Sequence, residues 1–479
     1  MNYLIQNREP ISVFHYFEEI CAIPHGSYHE EKLADYLVRF AADRGLFCTR
    51  DKMNNVFIKL PASSDRAGEA PILFQGHIDM VCEKDGDVEH DFLTDPLSLY
   101  LEKDLLRARG TTLGGDDGIA VAMMLALLDG AIPSHPAFEC LFTTAEEVGL
   151  DGAKAFDYSQ IAATRMLNLD SEDLGIVTAG CAGGVRTDLS LSYSTVPCKG
   201  SGLNVRICGL AGGHSGADIT RGRANANRLM GRLLTGLAKK QEIHLISIEG
   251  GSKDNAIPRE CGAKIAVTNL KKAIAFLQKA GKEIFRELSA EDSGFRLLID
   301  PIQSPKETLS RSDTDRALAV LTCSQIGVME MSKQIPGLVE SSRNLGVVRS
   351  TSKKLTFIFS GRSSVEAQLD AMQNELDLFA QMTGCTARHH SRYPGWDYAP
   401  ESAIRTAYCK AYEKVTGRKA VVNVIHAGLE CGIIRSHLPE LDMISIGPDL
   451  RDIHSPNEAL VLPSVTTFWK VLEELIQNL

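Results

Sequence analysis

The sequence predicts an α/β fold, with helices on both faces of a sheet, interrupted by an inserted α+β domain. Three observations carry this. Short apolar strands alternate with helical periodicity up to about residue 180. From there to about 395 the strands turn alternating or β-branched. After a turn-rich junction, Tyr393-Pro394-Gly395-Trp396, the first texture returns. The predicted domains are therefore 1–184 with 396–479, and an insert at 185–395.

Taken in order, 11–20 reads as a short helix. Residues 29–45 read as a clearer one, because Leu33, Tyr36, Leu37 and Phe40 recur at i, i+3, i+4 and i+7, and Gly45 suits the position past its end. Residues 56–60 and 70–74 read as strands, 116–128 as an apolar helix, and 138–143 and 166–169 as further buried strands. In the insert, strands are predicted at 187–193, 202–210 and 262–269, with helices at 224–237 and 273–288. A second β–α stretch covers 346–360 and 364–382. Beyond the junction, 402–416 is a helix with Ser402 as N-cap and Gly417 past its end. A buried strand at 443–446 and a terminal helix at 464–477 follow.

Composition narrows the function. The chain has 479 residues, 44% hydrophobic and 23% charged, which suits a globular protein with a large core. The net charge of −10 argues against nucleic acid or an anionic membrane as partner. No apolar run reaches the roughly 18 residues of a membrane span. The 12 cysteines lack CxxC spacing, and no secretory signal is legible, so a cytoplasmic location is expected.

Five clusters place acids or histidines at strand ends and in loops. His77-Ile78-Asp79 follows an apolar strand, and alternation puts both side chains on one face. That suits a metal ligand with an attendant acid, although taken alone the motif is more often a core histidine bonded to one. Leu113-Gly114-Gly115-Asp116-Asp117-Gly118 presents two acids before a helix, which an acidic helix start also explains. Thr143-Thr144-Ala145-Glu146-Glu147, Asn168-Leu169-Asp170-Ser171-Glu172 and Asp452-Ile453-His454-Ser455 complete the set. The carboxyl ends of strands are where open α/β sheets bind ligands. Imidazole and carboxylate without thiolate suit Zn²⁺, Mn²⁺ or Co²⁺.

In order and spacing, these motifs resemble those of the M20 co-catalytic metallopeptidases. Gly212-Gly213-His214-Ser215-Gly216, Asn255-Ala256-Ile257-Pro258 and His426-Ala427-Gly428-Leu429-Glu430-Cys431-Gly432 are similar to the aminoacyl-histidine dipeptidase branch. The resemblance spans essentially the whole chain. It implies a discontinuous catalytic domain with a central twisted mixed sheet of the zinc-peptidase type, plus an inserted lid. It also implies two divalent metal ions, zinc foremost, held by His77, Asp116, Glu147, Asp170 and His454, with Asp116 bridging. Glu146 is then the general base, and Asp79 orients His77. His214, Asn255, Arg362 and Gly428 contact the substrate, Arg362 gripping its C-terminal carboxylate. A cis peptide after the bridging aspartate is implied at Asp116–Asp117. His426 and Glu430 receive no role.

Two positions depart from the resembled pattern. Asp117 is acidic where asparagine is expected, and Arg343 is a cation where a smaller or neutral residue is expected. The implied activity is hydrolysis of dipeptides, preferentially Xaa-His such as β-alanyl-histidine. Another M20 amidohydrolase activity, on tripeptides or N-acyl amino acids, is the nearest rival. A non-catalytic metal- or peptide-binding protein is disfavoured because Glu146 is present. A homodimer through the lid and a site completed within one chain both stay open.

Overall fold

The computed structural model describes residues 3–5 and 7–479. The chain forms two compact units. The first comprises Met1–Cys181, Trp396–Val424 and Leu429–Leu479, and the second Ala182–Gly395 with Ile425–Gly428.

The first unit is built on an eight-stranded mixed sheet. Its order is Phe47–Arg50, Val56–Leu60, Phe138–Thr143, Ile72–His77, Arg165–Asn168, Asp442–Ser445, Ile176–Cys181 and Val421–Ile425. The central strands run parallel: Ile72–His77 pairs with Phe138–Thr143 on one side and Arg165–Asn168 on the other, and the latter with Asp442–Ser445. Both Ile72–His77 and Phe138–Thr143 are buried along their whole length, as expected of strands covered on two faces. Phe74 and Phe138 meet edge to face with centroids 5.2 Å apart, an arrangement that adds about 0.5–1.5 kcal/mol beyond area burial.

Helix Gly115–Leu128 is apolar nearly all round and almost entirely buried. At Gly118 it packs against Phe17 and Ile20 of helix Ile11–Cys21. Helix Ala403–Thr416 starts where expected, with the Ser402 hydroxyl accepting the Arg405 N–H at 3.1 Å, and Gly417 follows at φ 70°. One start differs. Asp116 and Asp117 lie within the span of Gly115–Leu128 but have non-helical dihedrals, and the peptide between them is cis. These acids form the turn before the helix rather than its first residues.

The second unit has an antiparallel nine-stranded sheet. Eight strands lie in the order Arg296–Ile302, Ser201–Cys208, Cys261–Val267, Ile243–Gly250, Val339–Ser350, Lys354–Ser363, Gly183–Ser192 and Thr386–Tyr393, and Gly327–Met331 pairs beside Val339–Ser350. Gly183–Ser192 alternates buried and half-buried residues, the pattern of a sheet with one covered face. Leu233, Leu237, Leu277 and Leu321 from three helices join that face in a core of their own. The expected single strand at 346–360 is a hairpin, turning at 351–353 without glycine or proline to mark it. Asn269, expected to close a strand, instead caps helix Leu270–Glu287, its side chain accepting the Lys272 N–H at 2.9 Å.

Arg343 is buried in this unit and forks onto Glu375 at 3.0 and 3.1 Å, with the Gln325 and Met372 carbonyls as further acceptors. Its charge ties strand Val339–Ser350 to helix Glu366–Thr383. Among the described residues no helix is long and apolar enough to cross a membrane.

Candidate metal centre

Parallel strands end at the same edge, so the loops after them meet there. His77 is the last residue of its strand, Glu146 and Glu147 follow Phe138–Thr143, and Asp170 follows Arg165–Asn168. Asp116 joins them from the non-helical turn at the start of Gly115–Leu128, and His454 from the loop between strands Leu450–Arg451 and Ala459–Val461.

Asp116 lies between the two imidazoles. Its Oδ1 is 3.2 Å from His77 Nε2, and its Oδ2 is 3.1 Å from His454 Nε2. Glu147 Oε1 is 2.8 Å from His454 Nε2, and Asp170 Oδ1 is 3.9 Å from His77 Nε2. Three sets have ligand atoms within 4.8 Å of one another: His77, Asp116 and Asp170; Asp116, Glu147 and His454; and His77, Glu146 and Glu147.

The tautomer of His77 is fixed from behind. Its Nδ1 lies 2.9 Å from the Asp79 backbone carbonyl, an acceptor only, so Nδ1 carries the proton and Nε2 offers a lone pair. That lone pair faces a carboxylate oxygen, and two acceptors 3.2 Å apart require a positive charge between them. Burial disfavours charge on His77, but Asp116 and Asp79 outweigh it and hold its pKa well above the usual range. Asp116 and Glu147 likewise push His454 up to about 10. Burial works against the Asp116 charge, and the two imidazoles overcome it and hold its carboxyl low. Burial first, with neighbouring acids, raises Asp117, Asp170 and Glu146 well above the ordinary carboxylate range, although His77 opposes this in each case. So many buried and half-buried acids around two imidazoles make a donor set that fits divalent cations.

Asp79 does more than attend His77. Its carboxylate Oδ1 is 3.4 Å from the ring nitrogen, farther than its own carbonyl. The same carboxylate accepts the N–H groups of Glu146 at 2.9 Å and Glu147 at 3.2 Å, and the Ser27 hydroxyl at 2.7 Å. Buried Glu30 accepts the preceding N–H, that of Ala145, at 3.0 Å. Ala145 itself is left-handed at φ 50°, a region that side chains other than glycine rarely enter. Two buried acids thus hold three consecutive amides of the turn that presents Glu146 and Glu147.

Sequence reading missed Glu458. Its buried carboxylate accepts four successive N–H groups, from Leu113 at 2.7 Å, Gly114 at 3.1 Å, Gly115 at 2.8 Å and Asp116 at 3.3 Å. The signal was its place four residues beyond His454, in Ser455-Pro456-Asn457-Glu458. Asp117 is buried as well. Its Oδ2 accepts the His77 N–H at 3.2 Å, and a Cβ at Gly76 would overlap that oxygen.

The second unit gathers the other expected residues. His214 Nδ1 accepts the N–H groups of Gly216 at 3.3 Å and Ala217 at 3.0 Å, so its Nε2 carries the proton. Arg362 Nη2 lies 3.4 Å from that Nε2, and Nη1 donates to Tyr393 Oη at 3.0 Å. Two donors side by side can converge on one oxygen. Burial, then Arg362, lowers the His214 pKa, which keeps the ring neutral. The Asn255 carbonyl accepts the Ser215 N–H at 2.8 Å, and Gly428 lies against the Tyr393 ring, where a Cβ would clash. His426 Nε2 is 2.7 Å from Ser342 Oγ; burial first, then Arg362 and His214, lowers its pKa to about 4.

A mixed sheet with imidazoles and carboxylates at its strand ends suits the chemistry of a metal-dependent hydrolase. The chain belongs to peptidase family M20/M25/M40, whose model matches residues 73–478. It is 36% identical over 474 residues, 98% of both chains, to the cytosol non-specific dipeptidase of Escherichia coli strain K12. The crystal structure of aminoacylhistidine dipeptidase from Vibrio alginolyticus superposes with a TM-score of 0.92 at 35% identity, covering 100% of this chain and 98% of that one. Aminopeptidase PepT from Bacillus cereus, at 16% identity and a TM-score of 0.56 over 98% of each chain, shares the fold.

Proposed function

We propose that this chain is a cytoplasmic dinuclear metallo-dipeptidase that hydrolyses dipeptides, with Xaa-His substrates such as β-alanyl-histidine preferred. The observation that carries this is Asp116 with one oxygen toward each imidazole, beside the half-buried Glu146, in a chain akin to two dipeptidases. Two divalent ions, zinc the first choice and manganese or cobalt alternatives, would be held by His77, Asp116, Glu147, Asp170 and His454. Such ions lower the pKa of a water and polarise the scissile carbonyl.

The chain's own residues do the rest. Glu146 accepts the proton of the attacking water and returns it to the leaving amine. A carboxyl with a raised pKa suits both transfers. Asp79 and Glu30 keep that carboxyl in place by gripping its turn. His214 donates Nε2–H to a substrate oxygen, Arg362 pairs with the C-terminal carboxylate, and Asn255 and Gly428 line the substrate. The unit at 185–395 acts as the lid.

The test is metal analysis of the purified protein with kinetics on Ala-His, Ala-Ala, Gly-Gly-Gly and N-acetyl amino acids. The highest kcat/KM is expected for Ala-His. Preference for the tripeptide or the acylated substrates overturns the assignment, and equal rates on Ala-His and Ala-Ala remove only the histidine preference.

A further inference from the structure

Glu430 is used by no step above, yet it is wholly buried at the start of helix Glu430–His437. Its Oε2 accepts Gln75 Nε2 at 2.6 Å and Thr143 Oγ1 at 2.6 Å. Gln75 Nε2 also reaches Thr143 Oγ1 at 3.1 Å, and Gln75 Oε1 accepts Asn168 Nδ2 at 2.7 Å. Thr143 Oγ1 also lies 3.3 Å from the Gly76 carbonyl, but its single proton faces the nearer Glu430 Oε2, while Gln75 spends its amide protons on Glu430 and Thr143.

The four side chains are fully buried among apolar strands, where polar groups are costly unless paired. Packing of the sheet alone gives no reason for them. Their positions do. Gln75 stands two residues before His77, and Thr143 ends the strand leading to Glu146 and Glu147. Asn168 ends the strand leading to Asp170. The register aligns His77 with Thr143 and Gln75 with Asn168 on neighbouring strands. Backbone ladders hold strands together, but they stop at the strand ends, where the acids begin. A carboxyl bonded across those ends continues the alignment. Glu430 Oε1 has no hydrogen-bond partner among the described residues, so the link rests on Oε2 alone.

We propose that Glu430 is a positioning residue: through Gln75, Thr143 and Asn168 it fixes the three strand ends that present His77, Glu147 and Asp170, and so sets the affinity of the site for divalent cations. This rests on the reading of the site as a divalent-cation centre.

The test compares wild type, E430A, E430Q, T143V and the double variant E430A/T143V. Zn²⁺ affinity is measured by chelator competition, alongside kinetics on Ala-His and the folded fraction by circular dichroism. E430A is expected to bind Zn²⁺ about tenfold or more weakly, the size of effect seen when a group supporting metal ligands is removed. Its kcat should fall by a similar factor, with KM little changed. E430Q keeps an acceptor oxygen for Gln75 and Thr143, and should return Zn²⁺ affinity to within about threefold of wild type. T143V should weaken Zn²⁺ binding, and the double variant should be no worse than E430A, since both break one network. Unchanged Zn²⁺ affinity in E430A overturns the proposal, as do failure of E430Q to rescue and strictly additive effects. If E430A does not fold, T143V and E430Q decide, and wild-type affinity in T143V overturns it. Wild type that binds no divalent cation defeats the cation-centre reading and this proposal together, whereas wild type that binds and E430A that binds equally well defeats this proposal alone.

Discussion

At the residue scale, roles follow from which atoms are already taken. Glu146 has its backbone held by Asp79, which leaves its carboxyl to act. Glu146→Ala should retain both metal ions and lose about 10²–10⁴-fold in kcat, the usual worth of a general base; turnover close to wild type would refute the base assignment. Asp79→Ala should also cut turnover, but for a reason the sequence did not show. Alternation along a strand suggests a carboxylate behind an imidazole. The strand ends at His77, so the carbonyl of Asp79 takes the ring proton and its carboxylate grips the Glu146 turn. The expected signature is weakened binding of the ion on the Glu147 side, read by metal stoichiometry at limiting metal. Glu430 gives a pH prediction. Burial pushes its carboxyl up to about 7 from the ordinary 4.5. A carboxyl raised on folding costs stability as pH climbs between those values, because the unfolded chain gives up its proton first. In metal-free protein, the Tm of E430Q relative to wild type should therefore rise from about pH 5 to about pH 7, and a constant difference would contradict it.

At the element scale, the short turns between strand and helix decide whether ligands can be presented. The apolar helix after Asp117 was legible because it is hydrophobic all round. The turn before it was not, because the Glu458 clamp comes from 342 residues away in sequence. Glu458→Ala strands three buried N–H groups and a part-buried one, and should destabilise the fold by about 1–3 kcal/mol or more. The metal-free Tm should fall, and binding of metal at Asp116 should weaken. Gly76 is a second constraint of this kind: any side chain there meets Asp117 and Ala120. Gly76→Ala should cost about 1–3 kcal/mol by overpacking, checked by denaturant unfolding. In the second unit, the strand expected at 346–360 is part of hairpin 339–363, since Ser350-Thr351-Ser352-Lys353 has no glycine, proline or asparagine to mark the turn.

At the scale of the whole molecule, the two hydrophobic cores share no residue. The proposed metal ligands, His77, Asp116, Glu147, Asp170 and His454, all belong to the first unit. Saturating metal at 100 times its Kd should add about 2.7 kcal/mol to that unit. Chelation should therefore lower Tm, and the hydrogen-exchange protection it removes should lie in 1–181, 396–424 and 429–479 rather than in 182–395. Loss spread evenly over both units would count against the assignment of ligands. The α/β texture and its interruption were readable because strand and helix periods differ and because the texture returns. Strand order was not readable, since pairing between strands separated by hundreds of residues leaves no local trace.

That strand order has a consequence for biosynthesis. Strand Asp442–Ser445 lies inside the eight-stranded sheet, between Arg165–Asn168 and Ile176–Cys181, which leave the ribosome some 270 residues earlier. The second unit, nearly continuous in sequence, can close its own sheet in the meantime. The first unit waits with two open strand edges, and open edges are where nascent chains aggregate. Ribosome-stalled chains ending before residue 440 should therefore depend on chaperones, and release from that dependence should coincide with emergence of the strand that fills the gap.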